Sequence, residues 1–315
     1  MSQNPFMADA AIAARITDLD ARIGAELRAN VAARLLAHAH DPAANLGGVL
    51  LAADADALTS AYGLTSEQLM LLTRKLAEGM ARPPISNFFV GAVSREEASG
   101  NLIYGGNLEF PGAAIGFTVH GEGYLAARAF SRGVRLDRIA LGEAHPCGHC
   151  RQFLSEFAWA SSLILIDPLG HRLTLSQLFP WPFDPAYLGD VGAVPGLANW
   201  PDLTLTAADP LAGPLVEAVA RAHAPYSKAP AAVALQLKDG KRVTGASIES
   251  VAFNPSLGPL QTALIDLFAH GYDLSDIVGA SLAVTRRGTV DHEAATRALL
   301  AAVAPGVPLN VLDWR

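Results

Sequence analysis

The chain has 315 residues, about two domains' worth, and its 51% hydrophobic and 17% charged composition supplies ample material for buried cores, which excludes disorder as its general state. Its 23 Lys and Arg against 30 Asp and Glu leave a formal charge of −7, with no basic run to follow a phosphate backbone, so a nucleic-acid partner is not expected. Two cysteines, Cys147 and Cys150, are too few for a disulfide framework, and the charges at Arg15, Asp18, Asp20 and Arg22 break any signal-peptide core. With no run of about eighteen apolar residues either, a cytoplasmic protein without a membrane partner is expected.

Between about Ala10 and His40, Ile12, Ile16, Leu19, Ile23, Leu27 and Val31 recur at helical intervals, which predicts one amphipathic helix. Thr65 begins another: its hydroxyl caps, Gln68 reaches back, and Leu69, Leu72, Leu76 and Met80 line one face until Pro83 and Pro84. Residues 1–64 therefore form a helical N-terminal segment. Beyond the prolines, β-rich runs at Asn87–Val93, Leu102–Glu109, Arg138–Gly142 and Leu163–Ile166 alternate with helical stretches after His120 and after Cys147. An α/β unit over 65–180 follows, with a mixed, largely parallel sheet. From Phe179 to Trp200, four prolines and three glycines among aromatic residues make a linker or crossing loop, assigned to 181–210.

After the linker the pattern restarts. The ten residues from Pro225 lie without gaps on those from Pro84 at an offset of 141, and Gly245–Glu249 lies on Gly105–Glu109 at an offset of 140. Two blocks in order at nearly one offset favour a duplicated fold, with residues 211–315 as the second copy. Carried forward, the offset of 140 sets Leu260 against His120 and Thr262 against Glu122, and no cysteine follows Cys150. The second copy is thus expected to lack the chemistry of the first.

That chemistry lies in His120-Gly-Glu122, followed 27 residues after the histidine by Cys147 in Pro146-Cys-Gly-His-Cys150. A Cys-x-x-Cys on the first turn of a helix points both sulfurs the same way, and one imidazole with two thiolates makes a three-ligand zinc site whose fourth position stays open for water. Helix N-termini favour the thiolate forms. Glu122, two residues from His120, is placed to touch that water and reads as the proton shuttle. A Cys-x-x-Cys alone fits a redox pair equally well, but His-x-Glu followed by Pro-Cys-x-x-Cys is the signature of zinc nucleobase deaminases. His149 projects away from both sulfurs. His145 is a substrate contact at the lip of the site or a surface histidine, and Arg151 neutralises a thiolate or is solvated.

From Pro84 to Phe157 the sequence resembles the cytidine deaminases, specifically the larger two-domain type that acts on free nucleosides. Pro146-Cys-Gly-His-Cys-Arg-Gln-Phe153 is the most specific string, and the resemblance extends from about Thr65 through Pro225-Tyr-Ser-Lys and Ala252-Phe-Asn-Pro. It implies a three-layer α-β-α cytidine deaminase-like sheet, duplicated, behind the helical N-terminal segment. It further implies one zinc per chain, a homodimer, and hydrolysis of cytidine and deoxycytidine to uridine and deoxyuridine with release of ammonia, a reaction of pyrimidine salvage. By the same resemblance Phe88 sets an aromatic ring against the pyrimidine, and Asn107 and Glu109 hold the ribose 3′-hydroxyl. Glu109 also stands among Leu108, Phe110 and Pro111, where an ionised carboxylate needs a partner. Phe183 becomes an aromatic lid from the other subunit, with Ala252 and Phe253 as a second such loop near the ribose. Gly121 offers substrate its backbone amide where the family usually carries alanine, and His145 replaces a small or hydroxylated residue. Those two departures favour, as alternative, an aminohydrolase of a modified or antibiotic cytosine nucleoside. A non-catalytic zinc- or nucleoside-binding protein is the other alternative, opposed by the intact Glu122.

Overall fold

The N-terminal periodicity folds as one helix with a wider turn in its middle: α1 (Ala10–Leu19) passes through a π-helical turn at Asp20–Gly24 into α2 (Ala25–Leu36). A computed structural model describes residues 4–142, 145–285 and 288–314. Asp9 starts the helix by accepting from the amides of Ala11 and Ile12. Within the π turn Asp20 pairs with Arg28 and, at 3.0 Å, with Lys75, so the wider turn is tied to a later helix, a long-range cause that periodicity does not carry. β1 (Val49–Leu50) and α3 (Ala52–Tyr62) follow, the helix closed by Gly63 at φ +64°, and then α4 (Ser66–Glu78) with the full Thr65/Gln68 capping box. α4 ends at Glu78, short of the prolines expected to stop it.

The first half continues with β2 (Gly91–Glu96), β3 (Leu102–Gly106), α5 (Gly121–Arg132), β4 (Leu136–Ala140), α6 (Gly148–Ser155), β5 (Ile164–Ile166), β6 (Arg172–Thr174) and α7 (Leu175–Leu178). The sheet order is β1-β3-β2-β4-β5-β6, and only β4 and β5 run parallel. The expected largely parallel sheet is thus corrected to a largely antiparallel one. Short links join β2 to β3 and β5 to β6, and such links permit only antiparallel neighbours. β2, β3, β4 and β5 each contribute to two cores: Ala92, Ile103, Ile139 and Leu165 face one, Val93, Leu102, Ala140 and Ile166 the other, where Ile16, Leu27, Val31, Leu69 and Leu72 cover them.

The chain then builds α8 (Ala212–Ala220), β7 (Ala232–Leu237), β8 (Arg242–Ala246), α9 (Pro259–Ala269), β9 (Ile277–Val284), α10 (His292–Val303) and β10 (Leu309–Asp313). Its sheet order β10-β9-β7-β8 repeats the order and strand directions of β5-β4-β2-β3. Even the register shift recurs, at Arg95/Glu96 and at Gln236/Leu237. α5 and α9 lie between the two sheets in one continuous apolar core, while α8 covers the far face of the second sheet. At their junction the fully buried Arg128 pairs with Asp266 at 2.6 Å and donates to Asn45 Oδ1 and Gly47 O, so the buried charge is compensated. The architecture is therefore an α-β-α unit, duplicated, with a helical N-terminal segment.

Candidate active site and metal centre

Two helix N-termini supply the site. His120 is the N-cap of α5, Cys147 is the N-cap of α6, and Cys147 Sγ accepts from the Cys150 amide at 3.5 Å. His120 Nδ1 stands 3.6 Å from Cys147 Sγ and 3.4 Å from Cys150 Sγ, and the two sulfurs are 3.6 Å apart. Tetrahedral zinc, with bonds of about 2.0 to 2.3 Å, needs such ligand atoms about 3.3 to 3.8 Å apart, so the donor set fits without rearrangement.

The electrostatics agree with the geometry. The sulfur–sulfur hydrogen bond with Cys150, with the amides at the start of α6 and the nearby His120, holds the Cys147 thiol down to about 4 against the cost of burial. The same hydrogen bond, burial and the nearby Glu122 carboxyl push Cys150 up. Glu122, buried on the first turn of α5, has Oε2 3.7 Å from Cys150 Sγ, and burial raises its pKa above the ordinary value. Two thiols and a carboxyl crowd here, and only a cation between them lets all three ionise together.

The remaining candidates lie on the loops before β2, after β3 and at the start of α5. Phe88 is 62% exposed in the single chain. Glu109 accepts from the Ile85 and Ser86 amides at 2.8 and 2.9 Å and from the Ser86 hydroxyl at 2.6 Å, so the partner that its surroundings demanded is supplied first by the chain itself. Burial opposes its ionisation, but the Ser86 hydroxyl and the two amides prevail and hold the carboxyl below its ordinary value. Asn107 accepts from the Val90 amide and donates to Phe88 O, both at 2.9 Å, and so shapes the Phe88 loop. Gly121 is the first residue of α5, its amide among those a helix start leaves free, and a Cβ there would meet Ala92 Cβ at 3.3 Å.

The loops bearing Phe183 and Phe253 are both tied to α6 of the same chain. Gln152 brackets Phe183, accepting from its amide at 3.0 Å and donating to its carbonyl at 2.7 Å. His149 Nε2 lies 2.9 Å from Asn254 O, and Glu156, at the C-terminal end of α6, accepts from the Val251 amide at 2.7 Å, which fixes the loop carrying Ala252. Arg151 donates to the Pro146 and Leu178 carbonyls, so it braces the loop and does not neutralise a thiolate. His145 pairs with Asp167 at 3.3 Å. Gln152, Glu156 and Ser86 were missed by sequence reasoning; the four-residue spacing of Gln152 and Glu156 on the helix that begins at the Cys-x-x-Cys was the available signal.

Comparison with known proteins decides the family. Models of the cytidine and deoxycytidylate deaminase zinc-binding region match residues 64–165 and again residues 175–297. The cytidine deaminase of Vibrio atlanticus is 38% identical over 258 residues, 81% of this chain and 86% of that protein. That of Photobacterium profundum is 37% identical over 268 residues, 85% of this chain and 90% of its own length. The chain belongs to the cytidine and deoxycytidylate deaminase family. A solved cytidine deaminase from Burkholderia pseudomallei aligns with 33% of this chain and 88% of its own, at 26% identity and a TM-score of 0.28. By the two family matches the deaminase unit occurs twice in one chain, and zinc is the metal of the site in the first. In the second unit Gly258 caps α9 as His120 caps α5, so by cap position Leu260 matches Glu122. This corrects the register carried by the offset of 140 by two residues.

Proposed function

We propose that this protein is a hydrolase that converts cytidine and deoxycytidine to uridine and deoxyuridine with release of ammonia, in pyrimidine salvage. The convergence of His120, Cys147 and Cys150 within 3.4 to 3.6 Å, with the buried Glu122 at 3.7 Å from Cys150, carries this reading. Zinc held by those three residues supplies a water activated near neutral pH. Glu122 takes one proton from the attacking water and delivers it to N3 of the pyrimidine, then takes the second from the hydroxyl formed on C4 and delivers it to the leaving amine, so both protons of the water are accounted for. A carboxyl whose pKa is raised by burial suits both general-base and general-acid duty. The Gly121 amide faces the base and the Phe88 ring lies against it. Three of the roughly four acceptor positions of Glu109 are filled by the chain, which leaves one for a ribose hydroxyl, and Asn107 keeps one amide hydrogen for the same hydroxyl.

Residues 65–180 form the catalytic domain, 211–315 the non-catalytic copy, 181–210 the connection and 1–64 the N-terminal segment. The working unit is a homodimer in the cytoplasm, with Phe183, Ala252 and Phe253 of one chain completing the site of the other. Support comes from apolar exposure on those loops, 83% for Trp181 and 62% for Phe253. Among the described residues no helix is long and apolar enough to cross a membrane.

An ultraviolet assay of the purified zinc protein with cytidine, deoxycytidine, cytosine and cytidine monophosphate tests the reading. Both nucleosides should be turned over. Free cytosine should fall at least about a hundredfold in kcat/KM, because Glu109 and Asn107 lose their ribose partner. The monophosphate should be poor, since Arg151 is engaged by backbone carbonyls. Equal efficiency on cytosine and cytidine refutes the ribose site, and no turnover of either nucleoside refutes the reading as a whole.

A further inference from the structure

We propose that the catalytic half carries a second divalent-cation site, built by His145, Asp167 and His171, that takes a borderline transition metal such as zinc, cobalt or nickel. None of the three residues belongs to the thiolate centre. Asp167 directly follows β5 and His171 directly precedes β6, so a tight hairpin brings them together, while His145 lies on the segment that leads to Cys147. One carboxylate oxygen faces two imidazoles: Asp167 Oδ2 stands 2.7 Å from His171 Nδ1 and 3.3 Å from His145 Nε2. The rings meet edge to face with centroids 5.3 Å apart, and one ligand atom from each of the three residues falls within 4.8 Å of the others.

A hydrogen-bonded ion pair accounts for one imidazole beside Asp167 but leaves the convergence of the second unexplained. Two imidazoles and a carboxylate are a ligand set for borderline divalent metals. The 3.3 Å separation is the edge that a tetrahedral ion with bonds near 2.0 Å requires, and the 2.7 Å separation needs to open by only about half an ångström. The carboxylate is also oriented for the task. Its other oxygen accepts from the amides of Leu169 at 2.9 Å and His171 at 3.1 Å, and Asp167 is only 4% exposed, which is the kind of outer-shell fixing that metal-ligating carboxylates show.

Three ligands leave coordination positions open, and without a thiolate the site binds less tightly than the Cys147/Cys150 centre. A cation here staples the β5–β6 hairpin to the segment entering α6, two residues from Cys147. The inference does not rest on the deaminase reading, because its readout is metal binding at donors outside the Cys147/Cys150 centre.

The test is a cobalt titration of the full-length zinc-loaded protein by equilibrium dialysis, with visible absorption. One cobalt ion should bind per chain beyond the resident zinc, giving ligand-field bands without a sulfur-to-cobalt charge-transfer band. His171→Ala and Asp167→Asn should each weaken that binding by at least about tenfold while retaining the resident zinc. The asparagine keeps an oxygen for the two turn amides, so it removes the charge without removing the turn. No cobalt bound in excess of zinc at millimolar concentration overturns the proposal. So does unchanged affinity in both variants, or a charge-transfer band, which would report exchange at the thiolates.

Discussion

The two halves share a scaffold and differ at its tips. In the first, Glu109 gathers the Ile85 and Ser86 amides and the Ser86 hydroxyl; in the second, Glu249 gathers the Tyr226 amide at 3.0 Å, the Ser227 amide at 3.1 Å and the Ser227 hydroxyl. Leu108 bridges Arg82 and Val119 as Ile248 bridges His223 and Leu257. Asn107 holds the Val90 amide as Ser247 holds that of Ala231. Gly105 and Gly245 each lie where a helix presses on the sheet: a Cβ at Gly105 would overlap the Tyr124 ring, and one at Gly245 would overlap the Ala263 backbone. Yet where α5 starts with His120 and Glu122, α9 starts with Gly258 and Leu260, and α9 is buried along its whole length. Features that satisfy buried polar groups or close a core survive duplication, because each loss costs stability. The side chains at the helix tip take no part in that packing, so the second half holds the same fold with Gly258 and Leu260 there.

The comparison is broken most directly at Glu122. Glu122→Ala should lower turnover by about four orders of magnitude or more, two proton transfers being lost, while zinc content and thermal stability are retained. Metal analysis beside single-turnover kinetics checks this, and loss of zinc would reassign Glu122 as a ligand. Next in size is Glu156, fully buried at the junction of the halves, where it accepts from His223 Nε2, the Tyr226 hydroxyl and the Val251 amide, each at 2.7 Å. Glu156→Gln keeps the shape but weakens three bonds to a charged acceptor, for an expected loss of about 1.5 to 3 kcal/mol in urea unfolding. An unchanged midpoint would mean that the charge on Glu156 adds nothing to holding the halves together. Gly245→Ala and Gly105→Ala should each cost about 1 to 3 kcal/mol by overpacking, Gly245 the more because it meets backbone and not a ring. The opposite order in Tm would show that the second copy packs more loosely than the first.

The sequence was legible wherever a local rule governed the outcome. The Thr65/Gln68 capping box, the apolar stripe of α4 and the Cys-x-x-Cys turn of α6 are set within a few residues, and each formed as its pattern implied. The π turn at Asp20–Gly24 was not legible, because its acid answers to Lys75, 55 residues away. The strand expected from Asn87 begins only at Gly91, since Asn87 takes a positive φ of 55° and Asn107 pins the intervening loop by its backbone. Strand direction failed for a similar reason: apolar runs report burial but not partner, and short hairpin links set only the β2–β3 and β5–β6 pairs. In the site, ligand identity came from residue types at fixed spacing. The roles of Gln152 and Glu156 depend on loops that return from far along the chain, which no spacing records.

The smallest effect concerns the clamp that the halves share. Glu109 sits partly open beside the metal centre, and the Ser86 hydroxyl with the Ser86 and Ile85 amides holds its carboxyl below its ordinary value of 4.5 against the cost of burial. A carboxyl depressed in the folded state stabilises the protein above its unfolded pKa, and that contribution fades as pH falls through the folded value. Solvent screening keeps it to about a few tenths of a kcal/mol. Glu109→Gln should therefore unfold at slightly lower urea concentration than the parent at neutral pH, and the two curves should converge below pH 4.5 as the parent takes up its proton. Urea midpoints measured across that range decide the point. A gap that persists unchanged in acid would assign the cost to the shape of the amide and not to the charge on Glu109.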